Sequence, residues 1–283
     1  LPLKHPVNLA YEAATADLND VNMIDPFHLE AYGQTAVNYN RDVEIFPVLK
    51  TMFQKIYGDC PYKSPTDMGV NMAGFCISDD EVCCIASKKE IMRRHLKAQI
   101  DFIKGLVDES VVRKTELLVN QAEITDDICP AIAAALEKEK QTGGPAGALA
   151  LPDGKIITGK TSALLGAASA LLLNALKYLA DIDDDVDLIS PQIIEPVCNL
   201  KTEILGHRNP RLHSNEILMA LCICAVSNPL AKKALDQLPK LVGCDVHFSV
   251  IISETDEQLF RQLGTNISCQ PVYEMGKLFH KKS

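Results

Sequence analysis

Two short apolar runs, Ala148–Leu151 and Lys155–Thr158, flank Asp153-Gly154, and a long apolar segment follows from Ser162 to Ala180. Asp-Gly joins antiparallel strands because both residues accept the positive φ that a tight hairpin demands. The segment after it repeats with a helical rather than a two-residue period. A hairpin feeding a buried helix confines the chain to α/β architectures, since neither element can bury its apolar surface alone. Further strand-like runs are Val186–Ser190, Phe248–Ile252 and Asn266–Cys269. Helical patterns lie between them over Pro191–Leu205, Ser214–Val226, Pro229–Gln237 and Glu254–Leu263. The order β-β-α-β-α(αα)-β-α-β predicts a three-layer α/β domain over 148–283.

Upstream, a helical pattern over Pro6–Asn19 precedes the strand-like run Val21–Asp25. One strand cannot make a sheet, so residues 1–40 read as the end of an N-terminal Rossmann-like α/β domain whose earlier part is expected to be missing. Residues 41–140 read as mainly helical: an amphipathic helix over Asp42–Tyr57, two pieces between Asp79 and Asn120, and a further helix over Asp127–Lys140. Gln141 to Gly147 has the composition of a linker.

The 28 Lys and Arg stand against 37 Asp and Glu, a net charge of −9. That balance disfavours nucleic-acid binding, which needs a basic footprint. No uninterrupted apolar stretch is long enough to span a bilayer, and the first residues lack the basic-then-apolar pattern of a signal peptide. The ten Cys include no C-x-x-C pair; Cys83 and Cys84 are adjacent, and Cys222 and Cys224 are one residue apart. Such thiols suit a reducing compartment, and the expected location is cytoplasmic with no membrane contact.

Gly154 to Thr161 matches the phosphate-loop pattern G-x-x-x-x-G-K-[ST]. The context opposes it, because the first Gly sits in a hairpin turn and Lys-Ile-Ile-Thr between the glycines is strand material. Thr158, Gly159, Lys160, Thr161 and Ser162 nonetheless lie where a strand is expected to pass into a helix. Their N–H groups and hydroxyls hold an anion there, or Thr161 or Ser162 caps the helix; both uses draw on the same free N–H groups. Ser190, before Pro191, occupies the equivalent turn one unit later, so the two turns are expected to face one cleft. The five acids between Asp181 and Asp187 lack EF-hand spacing and read as a solvated loop. Lys88, Lys89, Arg93, Arg94 and Lys97 read as a solvated helix face.

The polar loops of the first half are denser in chemistry. Asp25 and His28 follow a predicted strand and are candidates for general acid and base. Arg41 and Lys63 are candidate holders of phosphate or carboxylate, with Asn38, Asn40, Asp67 and Asn71 as orienting groups. The plain alternative is turn and capping chemistry, which Asn, Asp and Pro perform in most loops.

Two resemblances sharpen these expectations. The element order of the last domain resembles the cytidine-deaminase fold, yet the H-x-E and P-C-x-x-C signatures of its zinc site are absent. The stretches Leu1–Tyr39, Tyr62–Asn71, Leu151–Thr161 and Asn266–Tyr273 resemble an uncharacterised bacterial family known as domain of unknown function 1846, of the UPF0371 type. Its members are similar in being near twice this length, with a phosphate-loop-like GPGSGK segment before the point where this chain starts. The resemblance implies that this chain is a C-terminal portion only, with ATP or another nucleotide and Mg engaged through the absent segment. It also implies a homo-oligomer, and a fold in which a nucleotide-type α/β domain and a helical insertion precede a deaminase-like domain without zinc.

The expectation from all this is part of an enzyme acting on a nucleotide or another phosphorylated metabolite, with a small phosphorylated ligand and the missing N-terminal polypeptide as partners. The alternative is a non-catalytic module for ligand binding or assembly.

Overall fold

The computed structural model describes residues 46–59 and 80–274, in two compact units, 1–128 and 129–283. The candidates Asp25, His28, Asn38, Asn40, Arg41, Lys63, Asp67 and Asn71 lie outside the described residues, as does the expected strand Val21–Asp25.

The described part of the first unit is helical: α1 (Phe46–Tyr57), α2 (Asp80–Ile103), α3 (Glu109–Gln121) and a 3₁₀ turn at Asp126–Ile128. α2 and α3 pack together, burying Ile91, Met92, Leu96 and Leu118. Nδ1 of His95 on α2 lies 3.0 Å from the Thr115 hydroxyl on α3, and burial holds that imidazole below its usual pKa. Arg93, Arg94 and Lys97 of α2 are paired with acids of the same helix. Arg93 and Arg94 both bond Glu90, at 2.9 and 3.0 Å, and Lys97 bonds Asp101 at 3.0 Å, so the patch is a set of pairs one helical turn apart.

The second unit contains α4 (Pro130–Thr142), β1 (Ala146–Ala150), β2 (Ile156–Lys160), α5 (Ala167–Leu179), α6 (Pro191–Asn199), α7 (Ser214–Cys224), α8 (Pro229–Leu235), β3 (Asp245–Phe248), α9 (Glu254–Gln262) and β4 (Asn266–Cys269). The sequence reading assigned α4 to the middle region; here it packs on β1, β2 and β3. Its C-cap is Gly143 in the left-handed conformation, with φ 70°, so the glycine-rich stretch turns the chain into the sheet. The sheet is mixed, in the order β2-β1-β3-β4, with β1 antiparallel to β2 and β3, and β3 parallel to β4.

Two cross-strand partners, Gly147 and Gly159, set the spacing of the layers. A Cβ on Gly159 would lie 2.2 Å from the Leu171 backbone nitrogen, and one on Gly147 would lie 2.5 Å from the Phe248 ring. Glycine here lets α5 lie directly on the strands. Phe248, opposite Gly147, meets Phe260 of α9 edge-on at 5.4 Å, so α5 and α9 share that face. α4, on the same strands, takes the other.

Three expected elements differ. The hairpin has three residues, Pro152-Asp153-Gly154, between Leu151 and Lys155, which pair with each other; Gly154 carries φ 83°. Val186–Ser190 is not a strand. It lacks alternation, follows the acidic turn, and buries Leu188 and Ile189 as an irregular segment without ladder partners. β2 runs on to Lys160 and α5 begins only at Ala167, so Thr158, Gly159 and Lys160 are strand residues and form neither a phosphate loop nor a helix start.

One histidine of the sheet is fully buried. His247 on β3 lies opposite Ala148 and Ser268; its Nδ1 is 2.8 Å from the Ser268 hydroxyl, and its Nε2 has no partner among the described residues. Burial pushes its pKa from 6.5 down to about 4. A histidine lowered in this way leaves stability intact above its unfolded value and removes it as the pH falls from 6.5 towards 4. The difference corresponds to at most about 3 kcal/mol. Urea unfolding across that interval is expected to show a falling midpoint for the wild type and a flatter one for His247→Gln. Parallel pH profiles would remove His247 as the cause.

Candidate functional site

The carboxyl ends of β2, β3 and β4 point to one side of the second unit, where open α/β sheets collect ligands. A small recess of about 70 Å³ lies there, lined by Gly166, the N-cap of α5, and its first residues Ala167 and Ala168, together with Arg211, His213, Ser253 and Asp256. An outer cleft of about 950 Å³ shares Pro145, Thr161, Arg211, Val250 and Glu274 with it and adds Ser162, Val272 and Tyr273.

The side chains of the recess are held by two helix starts. Asp256 occupies the third position of α9, whose N-cap Ser253 accepts the Asp256 N–H at 3.1 Å. Its carboxylate takes four hydrogen bonds: from the Ser214 N–H at 2.8 Å, the Ser214 hydroxyl at 2.7 Å, the Ser253 hydroxyl at 2.6 Å and His213 Nδ1 at 2.9 Å. Burial alone would raise the Asp256 pKa, but the bond and charge of His213, with the Ser214 and Ser253 bonds, outweigh it and lower the pKa. An ionised Asp256 therefore fixes the proton of His213 on Nδ1. Nε2 is left without a protein partner among the described residues, in a side chain that lines the recess.

The constellation is not a nucleophilic triad. Ser253 approaches Nδ1, at 3.2 Å, rather than Nε2, and both of its roles are taken by Asp256. What it offers is a histidine oriented by a carboxylate, the arrangement of a general base. Beside it stands Arg211, whose Nη1 lies 3.4 Å from Glu274, a long contact between two largely buried side chains.

Of the residues singled out from the sequence, Thr161 and Ser162 line the outer cleft. Their N–H groups are not free: Thr161 donates to the Pro145 carbonyl and Ser162 to that of Leu165, while the Ser162 hydroxyl accepts from the Leu165 N–H. The N-cap of α5 is Gly166, so neither residue caps it. Ser190 is the N-cap of α6, without a side-chain capping bond, and is not among the residues lining the cleft. Arg211, His213, Ser253 and Asp256 escaped the sequence reading. Ser253-x-x-Asp256 carries the spacing of a capping box, and His213 directly precedes a helix; those were the available signals. Among the described residues, no group of three or more His, Cys, Asp or Glu is arranged to hold a metal ion.

Comparison with known proteins places the whole chain. Residues 1–123 match the model of the N-terminal domain of DUF1846, and residues 127–279 match that of its C-terminal domain. The chain belongs to the DUF1846 family. It is 54% identical over 282 residues to the UPF0371 protein of Corynebacterium efficiens, covering 100% of this chain and 57% of that protein. It is likewise 54% identical over 281 residues to a UPF0371 protein of Streptococcus thermophilus, covering 99% of this chain and 57% of the relative. The family match corrects one expectation: the chain is not confined to the C-terminal portion, since the N-terminal DUF1846 model matches it too. It spans 57% of the length of these relatives. Among the described residues, no helix is long and apolar enough to cross a membrane.

Proposed function

We propose that the C-terminal unit binds a small metabolite bearing a phosphate or carboxylate group and that His213 exchanges a proton with it. The observation that carries this reading is the two-part cleft. A recess of about 70 Å³ suits one anionic group, and an outer space of about 950 Å³ suits the body attached to it. Arg211 and the first N–H groups of α5 supply positive potential in the recess, and His213 supplies the proton carrier. A nucleotide is the favoured form of the ligand, since Tyr273 and Val272 give the outer cleft an aromatic and apolar wall. The strand order β2-β1-β3-β4, with β1 antiparallel to its neighbours, supports a deaminase-like topology in which the cleft lies among helix starts. Free thiols at Cys198, Cys222, Cys224 and Cys244 support a cytoplasmic setting.

A second reading, assembly of several copies, is favoured by α7. Met219, Cys222, Ile223 and Val226 fall along one exposed side of that helix and its end, an apolar face of the kind that copies of a chain bury against each other. The two readings are compatible.

Histidine-labelled protein titrated with inorganic phosphate and with nucleoside 5′-monophosphates tests the binding. The His213 signals are expected to shift in the millimolar range for phosphate and at lower concentration for a nucleotide. Glu274→Gln, which removes the carboxylate charge facing Arg211, is expected to tighten phosphate binding by about threefold to tenfold, because charges this far buried are little screened by salt. Unchanged His213 signals with every anion would sink the proposal. Weaker binding by Glu274→Gln would instead make Glu274 a ligand contact.

A further inference from the structure

The segment after α6 is built inside out. Leu200, Ile204 and Leu205 are 45%, 75% and 61% exposed, whereas Lys201 between them is 3% exposed. Pro196 sits inside α6, and the helix continues as a π turn over Leu200–Ile204. A π turn rotates side chains away from the positions that an α-helix would give them and recurs at functional sites. Its effect here is to point a lysine into the protein. Burying an ammonium is costly unless it is paired and fully bonded, so its partners indicate what the arrangement holds.

Those partners bracket the site. Lys201 Nζ donates to the Arg211 carbonyl at 2.7 Å and to Glu216 at 2.8 Å. The same Glu216 oxygen accepts the His213 N–H at 2.7 Å. The Lys201 carbonyl also accepts the His207 N–H at 2.9 Å, closing the loop that leads to Arg211. One buried ammonium thus fixes the backbone on both sides of Leu212, at two of the residues that line the recess.

We infer that Lys201 is a positioning residue of the cleft, setting Arg211 through its carbonyl and His213 through Glu216. It touches no ligand. The inference rests on the reading of the cleft as an anion site only for its consequence in binding; the consequence for His213 stands alone.

The test uses histidine-labelled full chain, reading which His213 ring nitrogen carries the proton and the positions of its ring signals, together with the phosphate Kd. Lys201→Met is expected to lose the single Nδ1-protonated form, to move the His213 ring signals and to weaken phosphate at least about tenfold, as the loss of a buried charged anchor implies. Lys201→Met/Glu216→Gln removes the uncompensated carboxylate and is expected to regain stability without regaining either His213 property. Ile132→Val in the α4 core lowers stability and is expected to leave both unchanged. Should Lys201→Met not fold, the double variant and Lys201→Gln give the same comparison. Wild-type His213 signals in Lys201→Met, or their return in the double variant, would overturn the inference. Failure of the wild type to bind phosphate removes the anion reading, while the His213 comparison still decides the role of Lys201.

Discussion

Gly159→Ala is expected to cost about 3 kcal/mol, the upper part of the range for overpacking a filled core. The added carbon would stand 2.2 Å from the Leu171 nitrogen and 2.4 Å from its Cα, and neither is the end of a side chain that can turn aside. The whole of α5 would have to lift from β2, taking with it the Ser169 hydroxyl that bonds the Leu212 carbonyl at 2.7 Å. Gly144→Ala is the control, since nothing lies within 4 Å of that added carbon. Urea unfolding of the two variants beside wild type measures the difference. Equal midpoints for Gly159→Ala and wild type would show that α5 does not lie on the strand as described.

Asp256→Ala is expected to be comparably severe, at about 3–5 kcal/mol. It strips four donors of one acceptor, among them the Ser214 N–H and hydroxyl, both buried at the start of α7. Because the Asp256 pKa is depressed, its contribution is whole above the unfolded value of 3.8 and is lost as the pH falls through the folded one. That window lies below the one assigned to His247, so the two are separable in a single series of acid unfolding curves. Asp256→Ala should lose stability at neutral pH and show a weaker dependence in the most acid range. A variant as stable as wild type at neutral pH would mean that the carboxylate does not join the two helix starts.

The elements whose identity is carried by local pattern were legible: the hairpin at Asp153-Gly154, the helix ending near Ala180, and the strand at Asn266–Cys269. Val186–Ser190 misled because β-branched and apolar residues bury equally well in an irregular segment when no strand edge is offered to them. The phosphate-loop letters at Gly154–Thr161 misled for a related reason. Gly154 serves a turn and Gly159 serves close packing, two unrelated needs that happen to fall at the motif's spacing. The site itself was hidden because its members come from three separate helix starts, at Gly166, His213 and Ser253, far apart in sequence. No window of sequence contains them. Lys201 was hidden more deeply, since a lysine between leucine and threonine reads as solvent-facing until the π turn is known.

The sheet also imposes an order of events on the chain as it is made. β1 meets β2 across a short turn, but its other neighbour, β3, pairs Ala148 with His247, about a hundred residues later. Until β3 leaves the ribosome, one edge of β1 is open. Nascent chains ending before Asp245 therefore carry a hairpin with an unpaired flank, the kind of surface that chaperones hold and that neighbouring chains mistake for a partner. Synthesis of the last strands is the step that closes it, and pairings between such distant segments are slow to form.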